Sequence, residues 1–267
     1  TTATEFNLAI EDISFGQCPI ITQIKKALEH GEIQLKYQQL YDKQDLSLNT
    51  YEVSSGFIHN NQWYKICNLS ELDQDPELSI KVDRWILVEA CKQLHNFVTQ
   101  YPEAKLIINL NRHILLSDPQ LPELVSKLIT IVGGRAENPL ILQFDEEDFA
   151  NNMIESNRAI NVLNEYGAEI SIRNFGSTIF STAILKQTGV TYLTLDQQLT
   201  NMLNNEKDII KLQRKIEEYN AIKPLEIILK DLNDMGAFAN AWNVDARYLQ
   251  GNYFQKKLDH LTNVQDQ

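Results

Sequence analysis

The sequence predicts an α/β protein whose strands form a TIM-like (β/α) barrel with an antiparallel first strand pair. Two strand-like runs come first, at residues 33–42 and 49–58, and only a short polar segment separates them. Strand-like and helix-like segments then alternate to the end of the chain, which is typical of parallel strands with helices outside. An open doubly wound sheet fits the same alternation, but the number of units favours the barrel.

Each helix and strand is predicted from the spacing of its apolar residues. Residues 20–30 place apolar side chains at helical spacing ahead of the hairpin. The later helices are expected at residues 84–98, 121–132, 151–167, 180–188, 207–222 and 235–243. The strands that alternate with them are expected at residues 105–111, 139–145, 169–175, 191–196, 225–232 and 248–254. A short helix is expected to end the chain.

Composition narrows the class of protein. The chain has 24 Lys and Arg against 36 Asp and Glu, which gives a formal net charge of −12. This balance argues against nucleic-acid polymers as partners, because they need a basic surface, but it allows a small anion held by a few local cations. Three widely spaced cysteines, with no signal peptide and no apolar run of membrane-spanning length, predict a cytoplasmic protein without a membrane span.

The chain is expected to form one domain over residues 19–267, since no low-complexity or Pro/Gly-rich linker divides it. Residues 1–18 have weak periodicity and are expected to be a linker from domains upstream. The chain starts at Thr1 without a methionine, which favours a portion of a longer protein or a processed one.

One predicted strand ends in unusual side chains. Residues 169–175 form an apolar run that leads into a turn, and Arg173 and Asn174 lie where the strand meets the turn. In (β/α) barrels this end of a strand commonly carries catalytic residues. A cation and an amide at this place therefore need an explanation.

Nine short motifs follow one another along the chain. They are YQQL, YEVSSGF, VDRWIL, INLN, LQFDEE, IRNFGS, LTLD, IILKDLN and YLQG. In this order the chain resembles the EAL domain, the family of barrel phosphodiesterases that open cyclic di-GMP. The resemblance covers residues 19–257 and implies a barrel of the EAL type.

The resemblance also implies a metal site, and the chain departs from the family there. Glu52 holds the place of the metal-binding glutamate, and Asn109 that of the metal-binding asparagine. The remaining acidic positions of the family are occupied by residues without negative charge, which are Gln143, Arg173, Asn174 and Lys230. Two-metal hydrolysis needs hard oxygen anions, so we predict no Mg²⁺ or Mn²⁺ cofactor and no catalytic residues.

At other positions this chain either keeps or replaces the residue that is typical of the family. The arginine that contacts ligand phosphate corresponds to Gly56, the lysine that orients water to Thr194, and the proline of the last motif to Lys257. Glu146 is kept, and the resemblance implies that it steadies the following loop. The candidate ligand-binding residues are Gln38, Glu52, Asn109, Arg173, Asp196, Lys230, Gln250 and Gly251.

Several of these residues also have a plainer interpretation. The plainer interpretation is favoured for three of them: Glu52 as an acid paired to a neighbour, Asn109 as a residue that satisfies loop backbone, and Lys230 as a surface lysine rather than part of a phosphate-binding patch with Lys256 and Lys257. The acidic run 145–148 is expected to be a solvated loop. For Arg173 we predict a buried cation that stands where the metal stood and forms a salt bridge to Glu52, because an unpaired carboxylate in a barrel mouth is costly.

Two functions follow from these assignments. The first is a catalytically inactive regulatory domain that acts in cyclic di-GMP signalling as a receptor or relay, as in family members with degraded metal sites that regulate pili and surface motility. The second is a protein-interaction module that no longer binds the nucleotide. A metal-dependent phosphodiesterase with shifted ligands is a distant third. The protein partner is not indicated, and a homodimer is compatible with the resemblance.

Overall fold

The computed structural model of the protein describes residues 18–266, and these form a nearly closed barrel of strands with helices outside. The predicted linker at residues 1–18 therefore lies, except for its last residue, outside the described residues. The strands are β1 Gln34–Gln39, β2 Tyr41–Asp42, β3 Thr50–His59, β4 Gln62–Lys65, β5 Lys105–Asn109, β6 Leu140–Asp145, β7 Glu169–Phe175, β8 Tyr192–Leu195, β9 Glu226–Leu229 and β10 Tyr248–Leu249.

The helices cover the outside of the ring. They are α1 Pro19–Glu29, α2 Pro76–Phe97, α3 Arg112–Ser117, α4 Leu121–Val132, α5 Glu146–Asn151, α6 Met153–Glu165, α7 Ser181–Gln187, α8 Gln197–Thr200, α9 Glu206–Ile222 and α10 Met235–Trp242. Short 3-10 turns lie at Ser70–Gln74, Asn201–Asn204 and Val264–Asp266. Within residues 18–266, none of the helices combines the length and apolar character needed to cross a bilayer.

The predicted antiparallel hairpin is confirmed, and it opens the barrel. β1 pairs with β3 from Gln34 opposite Gly56 to Gln39 opposite Tyr51. Parallel neighbours then follow in the order β3, β5, β6, β7, β8, β9, β10. The chain closes the ring with β2, which pairs antiparallel with β10 and directly follows β1 in the sequence. β4 lies off this ring and extends β3.

Three predicted elements differ from the observed ones for local reasons. Helix α2 begins at Pro76 rather than at residue 84, because Asp75 caps its first turn by accepting from Leu78 N at 3.1 Å. The helix expected at 151–167 begins at Met153, because the backbone of Asn152 is not helical, and a separate short helix, α5, ends just before it at Asn151. The last strand ends at Leu249 instead of residue 254, since the chain turns at Gly251.

The alternation of side chains along each strand determines which residues point into the barrel near the carboxyl ends of the strands. A small buried cluster fills the lower interior, and its members are Leu40, Ile107, Ile141, Tyr192, Ile228 and Tyr248. Two residues further along a strand the side chain returns to the same face. The residues one layer above are therefore polar, namely Asn109, Gln143, Thr194, Lys230 and Gln250. The packed apolar layer forms the floor of the site described below.

Gly251 is required by close backbone packing, which yields a prediction. Its φ is +157°, and a Cβ there would lie 2.2 Å from the carbonyl oxygen of Leu232. We expect Gly251→Ala to lower the free energy of unfolding by about 2 kcal/mol or more, because the backbone must move. Urea unfolding followed by circular dichroism measures this.

The control is Gly31→Ala. Gly31 has a φ of +66°, but no atom lies within 4 Å of a Cβ built there. It should lose only the cost of the left-handed conformation, about 1 kcal/mol. Equal losses in the two variants would show that contact with Leu232 is not the reason for glycine at position 251.

Candidate functional site

The candidate site is the polar layer at the carboxyl ends of the barrel strands. Glu52 on β3 forms part of this layer, and its carboxylate is bound by amides. Its Oε2 accepts from Gln143 Nε2 at 3.2 Å, and its Oε1 accepts from Gln250 Nε2 at 3.0 Å. Gln250 Nε2 also donates to Gln38 Oε1 at 3.0 Å, and Gln38 donates to the carbonyl oxygen of Gln255. The sequence-predicted residues Gln38, Glu52 and Gln250 are therefore brought together.

Gln143 lies at the centre of this layer, and its side-chain amide both donates and accepts hydrogen bonds. Its Nε2 donates to Asn109 Oδ1 at 2.8 Å, and its Oε1 accepts from Ser171 Oγ at 2.7 Å and Thr194 Oγ1 at 2.8 Å. Asn109 is fixed in turn, because its Nδ2 donates to the carbonyl oxygen of Val53 at 3.0 Å. A carboxylate at position 143 could accept from the hydroxyls but could not donate to Asn109.

Arg173 is buried as predicted, but its predicted salt bridge to Glu52 is wrong. The residue is 4% exposed, and its guanidinium bonds to neutral oxygens instead. Nη1 donates to Asn109 Oδ1 at 3.2 Å and to the carbonyl oxygen of Gln143 at 2.9 Å. Nη2 donates to Asn68 Oδ1 at 2.7 Å and to the carbonyl oxygen of Leu110 at 3.0 Å.

The acidic partner of Arg173 is Asp145, for a reason of register. Arg173 on β7 lies beside Asp145 on β6, and Nε is 3.8 Å from Asp145 Oδ2. The same oxygen accepts from the side-chain amides of Asn68 and Asn174. The carboxylate of Glu52 accepts from the amides of Gln143 and Gln250 instead of from Arg173. Asp145 is 9% exposed and caps α5, which corrects the expectation that residues 145–148 are a solvated loop.

Sequence reasoning missed Asn68 because it lies in an irregular segment between β4 and the turn at Ser70–Gln74. Its φ is +64°, a left-handed conformation that asparagine tolerates better than most residues. Its backbone N–H donates to Asn111 Oδ1 at 2.9 Å. An asparagine after a short strand is too common a pattern to indicate this role.

Asp83 is a second buried acid behind Arg173. It is 1% exposed, and its Oδ2 accepts from the backbone N–H of Asn111 at 2.7 Å. Burial raises the pKa of the Asp83 carboxyl to about 7, although the bonds to Asn111 and the charge of Arg173 act in the opposite direction. This acid links α2 to the loop that follows β5.

Glu146 holds the loop between β7 and α7. The residue is fully buried, and its Oε2 accepts from Thr178 N at 2.7 Å and Ser177 Oγ at 3.1 Å. Its Oε1 accepts from Gly176 N at 3.2 Å and from Ser181 Oγ. The loop-steadying role implied by the resemblance thus corresponds to these four hydrogen bonds.

The position of Gly56 has no room for a side chain. A Cβ there would lie 2.5 Å from the Trp63 ring and 2.5 Å from the carbonyl oxygen of Tyr64. Both neighbours belong to β4, whose Lys65 pairs with Gly56. The added strand therefore occupies the space that an arginine at position 56 would need.

The charges of three lysines act on Glu52. Burial acts to raise the pKa of the Glu52 carboxyl, but the charges of Lys65, Lys257 and Lys230 and the hydrogen bond from Gln250 together lower it. Glu52 is therefore ionised at neutral pH. Asp196 is apart from this group, because it caps α8 through Gln198 N at 3.2 Å.

The donor set does not fit Mg²⁺ or Mn²⁺. Both ions prefer several anionic oxygens, and Glu52 is the carboxylate of the polar layer formed by the strands. Asn109 Oδ1 already accepts from Gln143 and Arg173, so it is not free to coordinate. Within residues 18–266, no group of three or more His, Cys, Asp or Glu side chains is arranged to hold a metal ion.

Comparison with protein families and structures gives one consistent result. The family model of the EAL domain matches residues 21–257. The chain is similar in fold to the FimX EAL domain from Pseudomonas aeruginosa bound to c-di-GMP, with a TM-score of 0.80, 21% identity, and coverage of 92% of this chain and 98% of that one. The Xanthomonas citri FimX EAL domain in complex with c-diGMP has a TM-score of 0.78, 17% identity and coverage of 91% and 94%.

Curated relatives are longer than this chain. The oxygen sensor protein DosP of Escherichia coli is 22% identical over 95% of this chain, which spans 32% of DosP. An uncharacterized protein of Synechocystis is 24% identical over 88% of this chain, which spans 34% of that protein. The chain thus spans about a third of the length of these relatives.

The bonds of Arg173 give the first prediction for this site. Arg173→Met removes a donor from two backbone carbonyls and from the side chains of Asn68 and Asn109, and it removes the cation beside Asp145, so we expect a loss of about 3 kcal/mol in the free energy of unfolding. Adding Asp145→Asn should recover part of this loss, whereas adding Glu52→Gln should not. Urea unfolding of the single and double variants measures both couplings. A larger coupling of Arg173 to Glu52 than to Asp145 would contradict the assignment.

Asp83 gives a prediction about pH. Since its pKa is raised on folding to about 7, the protonated acid stabilises the folded state at low pH, and this contribution is lost as pH rises through about 7. Relative to Asp83→Asn, the wild type should lose about 2 kcal/mol or more between pH 4.5 and pH 8. Urea unfolding across this range measures the difference.

The control for Asp83 is Asp75→Asn, which changes the same functional group at the partly exposed start of α2. It reports the effect of pH on the rest of the protein. If the stability difference between wild type and Asp83→Asn does not change with pH, the buried acid does not titrate in this range.

Proposed function

The chain belongs to the EAL domain family, and we propose that this member is a regulatory domain that binds cyclic di-GMP without hydrolysing it. In the family, carboxylates at the mouth of the barrel bind two divalent metals that activate water and stabilise the transition state. Here the corresponding layer is a network of amides around one buried guanidinium. The proposed role is that of a receptor or relay in cyclic di-GMP signalling.

The position of Arg173 is the observation that carries the proposal. Its guanidinium is bonded to Asn109 and to the carbonyl oxygen of Gln143, two of the positions where family members coordinate metal. A guanidinium keeps its charge at any pH at which the protein is folded, so it repels a divalent cation permanently. Gln143 removes a second negative charge and is locked by Ser171 and Thr194. These residues supply neither a metal site nor a general base.

Binding of the nucleotide is supported by different residues. Gln38, Glu52 and Gln250 keep their places and form one hydrogen-bonded group at the mouth. Two EAL domains of similar fold have been solved with cyclic di-GMP bound. The mouth also carries three lysines beside Glu52, a charge that suits a phosphodiester.

The second candidate function is a protein-interaction module that does not bind the nucleotide. The observation that favours it is the occlusion at Gly56, where Trp63 and Tyr64 leave no space for a phosphate-binding arginine. The chain spans about a third of the length of these curated relatives, so we propose either function for the domain alone. We propose a cytoplasmic location for both, with a protein partner of unknown identity.

We predict that purified protein given cyclic di-GMP with Mg²⁺ or Mn²⁺ yields no linear dinucleotide. Calorimetry should show nucleotide binding that changes less than about twofold when EDTA replaces the metal, because no carboxylate set bridges a cation to phosphate. Chromatography of the reaction measures hydrolysis.

Three results would separate the alternatives. Metal-dependent hydrolysis that is abolished in Glu52→Ala would overturn the non-hydrolytic assignment. Binding that disappears with EDTA would overturn metal independence. No binding in either condition would leave the interaction module as the function.

A further inference from the structure

Three lysines reach the mouth of the barrel from three separate segments. Lys65 ends β4, opposite Gly56 on β3. Lys230 directly follows β9, whose interior side chains lead up to the polar layer. Lys257 precedes Leu258, which bridges to Tyr37 on β1 and so holds the 255–258 segment against the barrel. The fold, rather than the sequence order, brings these cations together.

None of the three ammonium groups has a partner in the part of the chain that the structure describes. No carboxylate lies within 4.0 Å of them and no hydrogen bond satisfies them, whereas other lysines, such as Lys105 with Glu169, are paired. A lysine that meets only water is ordinary on a surface. Here three lysines from different segments act on one carboxylate, and none of them is bonded to it. This is not expected of unrelated surface lysines.

The three charges act on the same space. Burial lowers the pKa of the Lys257 ammonium, and Lys65 and Lys230 lower it further, while Glu52 and Asp231 raise it. Lys65, Lys230 and Lys257 in turn favour the charged form of Glu52. Three positive charges therefore face two negative ones, in a chain whose formal net charge is −12. The mouth is locally positive although the protein is acidic.

Glu52 does not neutralise this site. Its two oxygens are held by the amides of Gln143 and Gln250, which point the carboxylate along the polar layer. The lysines lie on its outer side and keep their donors free. A tetrahedral oxyanion offers several acceptors to such converging donors, and ammonium groups bind phosphate strongly as point charges.

We propose that Lys65, Lys230 and Lys257 form a phosphate subsite that holds one phosphodiester of a cyclic dinucleotide directly. This inference rests on the proposed function and specifies how the nucleotide binds without metal. The lysines take over the contacts that metal ions and an arginine at position 56 would otherwise make. Glu52 is then a positioning residue that draws the lysines toward the mouth.

The test is calorimetry of cyclic di-GMP in EDTA with single variants Lys65→Met, Lys230→Met and Lys257→Met. Each should weaken binding about tenfold, because each removes one charged donor to phosphate. The matched control is Lys256→Met, which removes the same charge from the same exposed segment but does not act on Glu52. Raising the salt concentration should weaken wild-type binding more than that of the variants.

The outcomes distinguish this inference from the proposed function. If wild type binds but the three variants weaken no more than Lys256→Met, the subsite is wrong and the receptor function stands. If wild type does not bind cyclic di-GMP, pyrophosphate is the probe. A rise in Tm with pyrophosphate that is lost in the triple variant and kept in Lys256→Met supports the subsite. No rise in wild type overturns it.

Discussion

A permanent positive charge inside the barrel is the constraint to which the mouth of this protein conforms. A buried guanidinium must have all its donors close to oxygens, since its desolvation is otherwise too costly. Arg173 meets most of this requirement: Nη1 and Nη2 have acceptors at the ends of β5 and β6 and in the segment after β4, and Nε lies 3.8 Å from Asp145 Oδ2 without a hydrogen bond. Asn68 takes a left-handed backbone to reach it. The loops of the mouth are thus arranged around a cation that belongs to the chain itself.

The amide network follows from that cation. A side chain next to Arg173 that can both donate and accept links it to Glu52 without placing two charges in contact. Gln143 does this by donating to Asn109 and Glu52 and accepting from Ser171 and Thr194. The side chains of the polar layer are therefore hydrogen-bonded mainly to one another. Its lower boundary is the apolar cluster of the barrel interior, and its outer boundary is the group of lysines.

The barrel could be predicted from the sequence because the periodicity of the apolar residues and the length of the strand–helix units are compatible with few folds. Alternating apolar runs indicated the strands, and the short polar segment between the first two indicated the hairpin. The resemblance to the EAL domain, and not the periodicity, assigned Glu52, Asn109 and Gln250 to one site. The sequence could not supply the partner of Arg173, because that depends on the register of β6 and β7 and on a loop asparagine. β4 was missed because four half-exposed residues carry little periodicity.

The interlocked hydrogen bonds of the mouth make a site of several carboxylates hard to build here by single substitutions. Arg173→Asp alone would set a new carboxylate beside Asp145, its neighbour on β6, with no cation between them. Gln143→Glu alone would place a carboxylate against Glu52 and Asn109 Oδ1, both of which now receive its N–H donors. Each single change therefore brings carboxylates together without a cation or donor between them, which is unfavourable. A set of carboxylates at this mouth would therefore need several substitutions at once.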